Sequence, residues 1–146
     1  MNILVIDSNI IFSAALNIDN EIGQFIMSSD PDLVKLFAPD YLRMEIERYL
    51  PRIAHHSKLS DQEVRRIISL IYTKLSFISD EIIPFESYSK ALKYVRDVDM
   101  DDLAFVALNE YLNGLLWTGD KKLYKGLKSK GYERVVTFRE LKNVLT

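Results

Sequence analysis

Residues 2–6 (Asn-Ile-Leu-Val-Ile) form a short apolar, β-branched run that stops abruptly at Asp7. A strand without polar alternation is buried on both faces, as in a parallel sheet. Parallel strands need crossover connections, and helices normally supply them. The rest of the chain meets that demand. Helical patterns cover 8–17 and 20–28, and Ser28-Ser29-Asp30-Pro31 marks a turn. A second strand is expected over 33–38. A helix follows over 40–54, kinked or ended near Pro51. Ser60-Asp61-Gln62-Glu63 is a capping box that opens a long helix from 61 to about 76. A short strand is expected at 82–84 and a helix at 87–96. A helix apolar almost all round spans 102–112, hence central. Leu115-Leu116-Trp117 reads as a strand, 121–130 as a basic helix ended by Gly131, and Val135-Val136 as a last strand. Thr137-Phe138-Arg139-Glu140 caps a terminal helix. Short apolar strands alternating with helices predict an α/β/α sandwich around a short parallel sheet.

The 146 residues suit a single domain, 1–146, with no repeat or Pro/Gly-rich linker to divide it. A chain of about 150 residues buries roughly 70% of its unfolded surface, enough to fold without staples. The sequence has no cysteine, which excludes disulfide frameworks, thiol catalysis and Cys-based metal sites. His55 and His56 are its only histidines. The longest uninterrupted apolar run is Leu103 to Leu108, far short of the roughly 18 residues that span a bilayer. The start of the chain lacks the basic stretch of a signal peptide. The expectation is a cytoplasmic protein with no membrane association.

Acids fall where a parallel sheet binds its ligands, outside the carboxyl ends of the strands. Asp7 directly follows the first strand, and Asp120 follows Leu115-Leu116-Trp117 by a Thr-Gly turn. Asp99, Asp101 and Asp102 crowd the start of the central helix. One acid suffices to cap a helix, so three are in excess. Glu45 lies at the edge of the apolar stripe Leu42, Ile46, Tyr49 and Leu50, away from Glu47 and Arg48. A carboxylate leaning toward a core needs a partner. Taken one at a time, each acid has a plain structural explanation as a cap, a loop residue or half of an ion pair. Together they would repel, by roughly 3 kcal/mol per pair at about 5 Å and an effective dielectric near 20. A gathered set would need a cation, and oxygen ligands without His or Cys select Mg²⁺ or Mn²⁺.

With those six acids set aside, nineteen bases face fifteen acids. From Lys121 to Arg134 there are six bases and one acid, a patch that attracts polyanions or simply solvates a helix face. Phosphoryl-transfer folds also place acids at strand ends. A dehalogenase-type phosphatase wants a second Asp two residues after the first, where this chain has Asn9. A receiver domain wants an Asp on a middle strand, and none is evident.

The ordered motifs resemble the PIN domain family. Val5-Ile6-Asp7-Ser8-Asn9 is similar to its opening motif. Asp99-x-Asp101-Asp102-x-x-Phe105-Val106-Ala107-Leu108 is similar to its third, an acid opening a helix of small apolar residues. Leu116-Trp117-Thr118-Gly119-Asp120 resembles its fourth, and Glu45 lies where the family has a helical Glu. The resemblance implies Asp7, Glu45, Asp102 and Asp120 as metal-binding catalytic acids. Asp102 is the better match in its motif, with Asp99 and Asp101 left open. Asn9 would orient a ligand or water, and Thr118 would support Asp120. The implied activity is Mg²⁺- or Mn²⁺-dependent ribonuclease, often as the toxin of a toxin–antitoxin pair and often as a homodimer. RNA, an antitoxin protein and a second copy of the chain are therefore the implied partners. RNA maturation, or a silent RNA-binding or scaffolding role, are the alternatives the resemblance leaves open. The match is weakest over 51–98.

Cleavage of this kind would leave a 5′-phosphate and a 3′-hydroxyl, without the RNA 2′-hydroxyl as nucleophile. Lys121, Lys125 and Lys128 fall at i, i+4 and i+7 on a helix starting at the acidic edge, placed to hold flanking phosphates. Tyr124 and Tyr132 would either stack on bases or pack in the core.

Overall fold

The computed structural model describes residues 2–145. Five parallel strands form one sheet: β1 (Asn2–Ile6), β2 (Val34–Pro39), β3 (Leu75–Ile78), β4 (Leu115–Trp117) and β5 (Val135–Val136), in the order β3-β2-β1-β4-β5. The helices are α1 (Ser8–Leu16), α2 (Glu21–Ser28), α3 (Tyr41–Ser57), α4 (Asp61–Tyr72), α5 (Phe85–Val95), α6 (Leu103–Leu112), α7 (Lys121–Ser129) and α8 (Phe138–Leu145). Helices α1, α3 and α4 pack together, and α5 packs on α6 and α7. The α/β/α architecture is the expected one.

The unalternating β1 is central, and Leu4, Val5 and Ile6 are fully buried. Helix α6 crosses β1, β2 and β4, and Phe105 through Asn109 are fully buried, which is why its sequence is apolar on all sides. It is entered through a 3₁₀ turn, Met100–Asp102. Asn113 closes it in the left-handed conformation. Gly114 follows, where any Cβ would stand 2.6 Å from the Ile3 carbonyl oxygen. That close approach lets the chain enter β4 beside β1.

Two expected features are corrected. Helix α3 does not stop near Pro51 but runs on to Ser57. Pro51 is exposed there, and Leu50, Ile53 and Ala54 carry the buried stripe past it. The third strand is Leu75–Ile78, within and beyond the expected end of the 61–76 helix, and 82–84 is not a strand. Leu75 follows Ile71 by four residues, so it continues the apolar phase of α4 although the helix ends at Tyr72. Ile83 is buried from a turn, while Ile82 points outward.

Position along the sheet decides where a ligand can sit. From β1 the chain crosses to β2 on one side, while β4 lies on the other. The crevice outside the carboxyl ends of β1 and β4 is thus the topological switch point. An aromatic cluster fixes the β4 end. Trp117 stacks on Phe138 at 5.6 Å between centroids and meets Phe25 edge-on at 5.3 Å, tying β4 to α2 and α8. Such pairs contribute about 0.5–1.5 kcal/mol each beyond area burial.

Candidate active site

Register brings the first two site residues together. Ile6 pairs with Trp117, so Asp7 and Thr118 leave the sheet side by side. The Asp7 N–H donates to the Trp117 carbonyl at 3.0 Å. The Thr118 hydroxyl donates to Asp7 Oδ2 at 2.7 Å, and the Ser8 N–H donates to Asp7 Oδ1 at 2.8 Å. Thr118 Oγ1 in turn accepts from the Asp120 N–H at 3.0 Å. Asn9 spans the same turn: its Oδ1 accepts from the Gly119 N–H at 3.0 Å, and its Nδ2 donates to Thr118 Oγ1 at 3.4 Å.

Glu45 is buried on α3 among the residues of its apolar stripe. Its hydrogen-bond partner is the Ser8 hydroxyl, which donates to Oε1 at 2.9 Å. Ser8 therefore belongs to the site, a role that only its place directly after Asp7 hints at in the sequence. Asp120 caps α7, with Oδ1 accepting from the Lys122 and Leu123 N–H groups. Asp99 caps the 3₁₀ turn, accepting from the Asp101 N–H at 2.9 Å. Asp101 is exposed and accepts from the Tyr41 hydroxyl at 3.3 Å. Asp102 is 9% exposed, and its Oδ2 is buried without a hydrogen-bond partner.

All six acids line one cleft of about 290 Å³, together with Ser8, Asn9, Phe12, Tyr49 and Arg52. Among the described residues, Arg52 is the only cation lining it. Burial raises the Asp7 pKa to about 6, against the opposing bonds from Thr118 and Ser8. Burial raises Glu45 to about 7, with the Asp7 charge adding to it. Asp102 is pushed to about 8, by burial first and then by the charges of Asp7, Asp99, Asp120 and Glu45. These carboxylates feel one another, because burial and like charge both favour their protonated forms.

Among the described residues no three His, Asp or Glu side chains are spaced to hold a metal ion outright. The acids form the wall of an open cleft rather than a closed cage. Two features nevertheless fit a hard divalent cation: the ligand set is all oxygen, and one buried carboxylate oxygen is unpartnered.

A family model for the PIN domain matches residues 5–140. The chain belongs to the PIN domain family. Comparison with curated proteins gave no match. The PIN fold recurs in solved structures. That of PAE2754 from Pyrobaculum aerophilum aligns with a TM-score of 0.69 at 14% identity, over 99% of this chain and 89% of that one. VapBC2 from Rickettsia felis, bound to a DNA fragment from their promoter, gives 0.61 at 11%, over 92% and 96%. VapBC-1 from nontypeable Haemophilus influenzae gives 0.59 at 20%, over 87% and 93%. At these identities the likeness is one of fold.

Of the basic residues in this PIN domain, Lys121 and Lys125 are exposed and line a second cavity that shares Asp120 with the acidic cleft. Lys128 is instead paired with Glu133 at 3.2 Å and lies over the Tyr124 ring. Tyr132 is 3% exposed, and its hydroxyl accepts from Asn109 Nδ2 at 2.7 Å, so its ring is core and not a platform for a base. Among the described residues no helix is long and apolar enough to cross a membrane.

Proposed function

We propose that this PIN domain is a divalent-metal-dependent endoribonuclease that acts as the toxin of a toxin–antitoxin pair in the cytoplasm. The observation that carries the reading is the convergence of Asp7, Glu45, Asp102 and Asp120 on one cleft at the β1–β4 switch point. Asp7, Glu45, Asp102 and Asp120 would hold Mg²⁺ or Mn²⁺, with Asp99 on the same wall. When bound, the ion supplies positive charge against the scissile phosphate and lowers the pKa of water.

The chain's own groups do the positioning. Thr118 fixes Asp7 and Ser8 fixes Glu45, so neither carboxylate is free to swing out of the cleft. Asp120 uses Oδ1 for the α7 cap, which leaves Oδ2 to face a ligand. Lys121 and Lys125 present ammonium groups to phosphates flanking the bond that is cut. In-line attack by water would break the bond to the 3′-oxygen, leaving a 5′-phosphate and a 3′-hydroxyl. Two of the structural relatives are VapBC proteins, which favours an antitoxin partner for this chain as well. A homodimer belongs to the same reading.

The test is incubation of the protein with single-stranded RNA in Mn²⁺. Cleavage to 5′-phosphorylated products is expected, abolished by EDTA and by Asp7→Asn with the fold intact by circular dichroism. Cleavage that survives EDTA, or products ending in a 2′,3′-cyclic phosphate, would overturn the mechanism. RNA binding without cutting in Mn²⁺ would leave a silent RNA-binding domain.

A further inference from the structure

A second cavity, of about 320 Å³, opens on the other side of Asp120. Its walls come from four helices. Ile10 and Ser13 of α1 and Ile22 of α2 form one side. Lys121, Tyr124 and Lys125 of α7 face Phe138 and Arg139 of α8. Thr118 and Gly119 join it to the acidic cleft. The cavity combines an apolar, aromatic interior with a cationic rim. Lys121, Lys125 and Arg139 are exposed, and among the described residues none of the three forms an ion pair with a carboxylate.

That combination discriminates among ligands. A bare anion has no use for Ile10, Ile22 and the Phe138 ring. A purely apolar ligand has no use for three unpaired cations. A nucleotide uses both, with its base against aromatic and aliphatic walls and its phosphate on Lys and Arg. The volume lies at the lower end of the roughly 300–1,000 Å³ range of ligand pockets, which suits one nucleotide rather than a protein segment.

We infer that this cavity is the seat for one nucleotide of the RNA strand flanking the cleaved bond, with Arg139 and Lys125 on its phosphate. The inference rests on the nuclease reading for the strand's presence, and it adds a subsite to it. The seat shares Asp120 with the acidic cleft, so a base held there sets which phosphate lies over the carboxylates. It would therefore contribute to the choice of cleavage position. Arg139 lies one residue before the end of the family match, outside the acid-bearing motifs, and only its place in the fold brings it here.

The test needs no metal and no turnover. Adenosine 5′-monophosphate is titrated into the protein in EDTA and followed through the isoleucine methyl resonances. Saturable shifts at Ile10 and Ile22 are expected. Arg139→Ala, at an exposed position, should weaken binding about tenfold. Ser13→Trp, which fills the cavity, should abolish it. Shifts that are absent, or that Arg139→Ala leaves unchanged, overturn the seat even if Ser13→Trp fails to fold. Inorganic phosphate reproducing the full response, with adenosine giving none, would also overturn it by reducing the cavity to an anion site. A protein that binds the nucleotide here but cuts no RNA in Mn²⁺ would defeat the nuclease reading and not the seat.

Discussion

The Thr118 hydroxyl donates to Asp7 Oδ2 at 2.7 Å, a buried bond between residues 111 positions apart in the sequence. Thr118 Oγ1 also accepts from the Asp120 N–H, so one hydroxyl orients acids from both central strands. Thr118→Val keeps the shape and removes the donor. It should cost about 1–3 kcal/mol of stability, the usual loss when a buried partner of a charged group is deleted. RNA cleavage should fall at least about tenfold, because Asp7 loses its fixed orientation. Thr118→Ser should restore most of both. Chemical denaturation alongside cleavage rates separates the effects; a Val variant with wild-type activity would deny Thr118 any positioning role.

The acidic cleft makes stability depend on pH in a definite direction. In the metal-free protein Asp7, Glu45 and Asp102 have pKa values of about 6, 7 and 8, against ordinary values of 3.8, 4.5 and 3.8. Between about pH 4 and pH 8 the folded state therefore holds protons that the unfolded chain has released. Stability from these groups is present at low pH and is lost as pH rises through the folded values. In EDTA the melting temperature should fall between pH 5 and pH 8.5. Mn²⁺ must displace those protons, so its stabilising shift should grow over the same interval. Scanning fluorimetry at several pH values, with and without Mn²⁺, reads both slopes. A Mn²⁺ shift larger at pH 5 than at pH 8 contradicts the account.

Asp102 should cost the metal-free fold most. Its Oδ2 is buried without a partner, and four neighbouring acids raise its pKa. Asp102→Asn removes the charge with little change of shape. In EDTA at pH 8.5 the variant should be more stable than the wild type by about 1–2 kcal/mol, or roughly 2–8 °C in melting temperature. The gap should close toward pH 5, where Asp102 is already protonated in the wild type. Cleavage should be lost at every pH. A variant no more stable than the wild type at pH 8.5 would mean that Asp102 carries no such burden.

Much of this was legible in the sequence because chemistry and topology coincide there. Asp7, Thr118 and Asp120 sit at strand ends that apolar runs announce, and Glu45 leans on the edge of an apolar stripe. What escaped was set by tertiary context. Strand β3 begins at Leu75, in phase with the buried residues of α4, so periodicity alone extends the helix across it. Pro51 marks a break only if its neighbours stop packing, and Leu50, Ile53 and Ala54 do not. Ser8 and Arg52 reach the acids through three dimensions, one by hydrogen bonding across to α3 and the other from α3 itself. Lys128 runs the other way: its spacing offered it to RNA, and an exposed Glu133 engages it instead, while Tyr132, open in the sequence between base stacking and the core, is core, with a buried Asn109 on its hydroxyl.

Arg52 gives the last prediction. It is exposed on α3 and is the only cation among the described residues lining the acidic cleft. Its guanidinium lies 5.4 Å from the centroid of the Tyr49 ring, and Tyr49 meets Phe12 edge-on at 6.4 Å. The stack holds a positive group at the mouth of a negative cleft, where a polyanion must enter. Arg52→Ala should raise the KM for RNA roughly 3–10-fold, the loss of one charge-assisted contact. Its kcat should change little, since Arg52 makes no bond to the acids, and stability should stay within about 0.5 kcal/mol because the site is exposed. Arg52→Lys should recover only part of the KM effect, because an ammonium lacks the planar fork that stacks on Tyr49. Arg66→Ala, on the exposed side of α4, is the matched control for lost charge. Equal KM effects at positions 52 and 66 would assign the change to overall charge rather than to a contact at the cleft mouth.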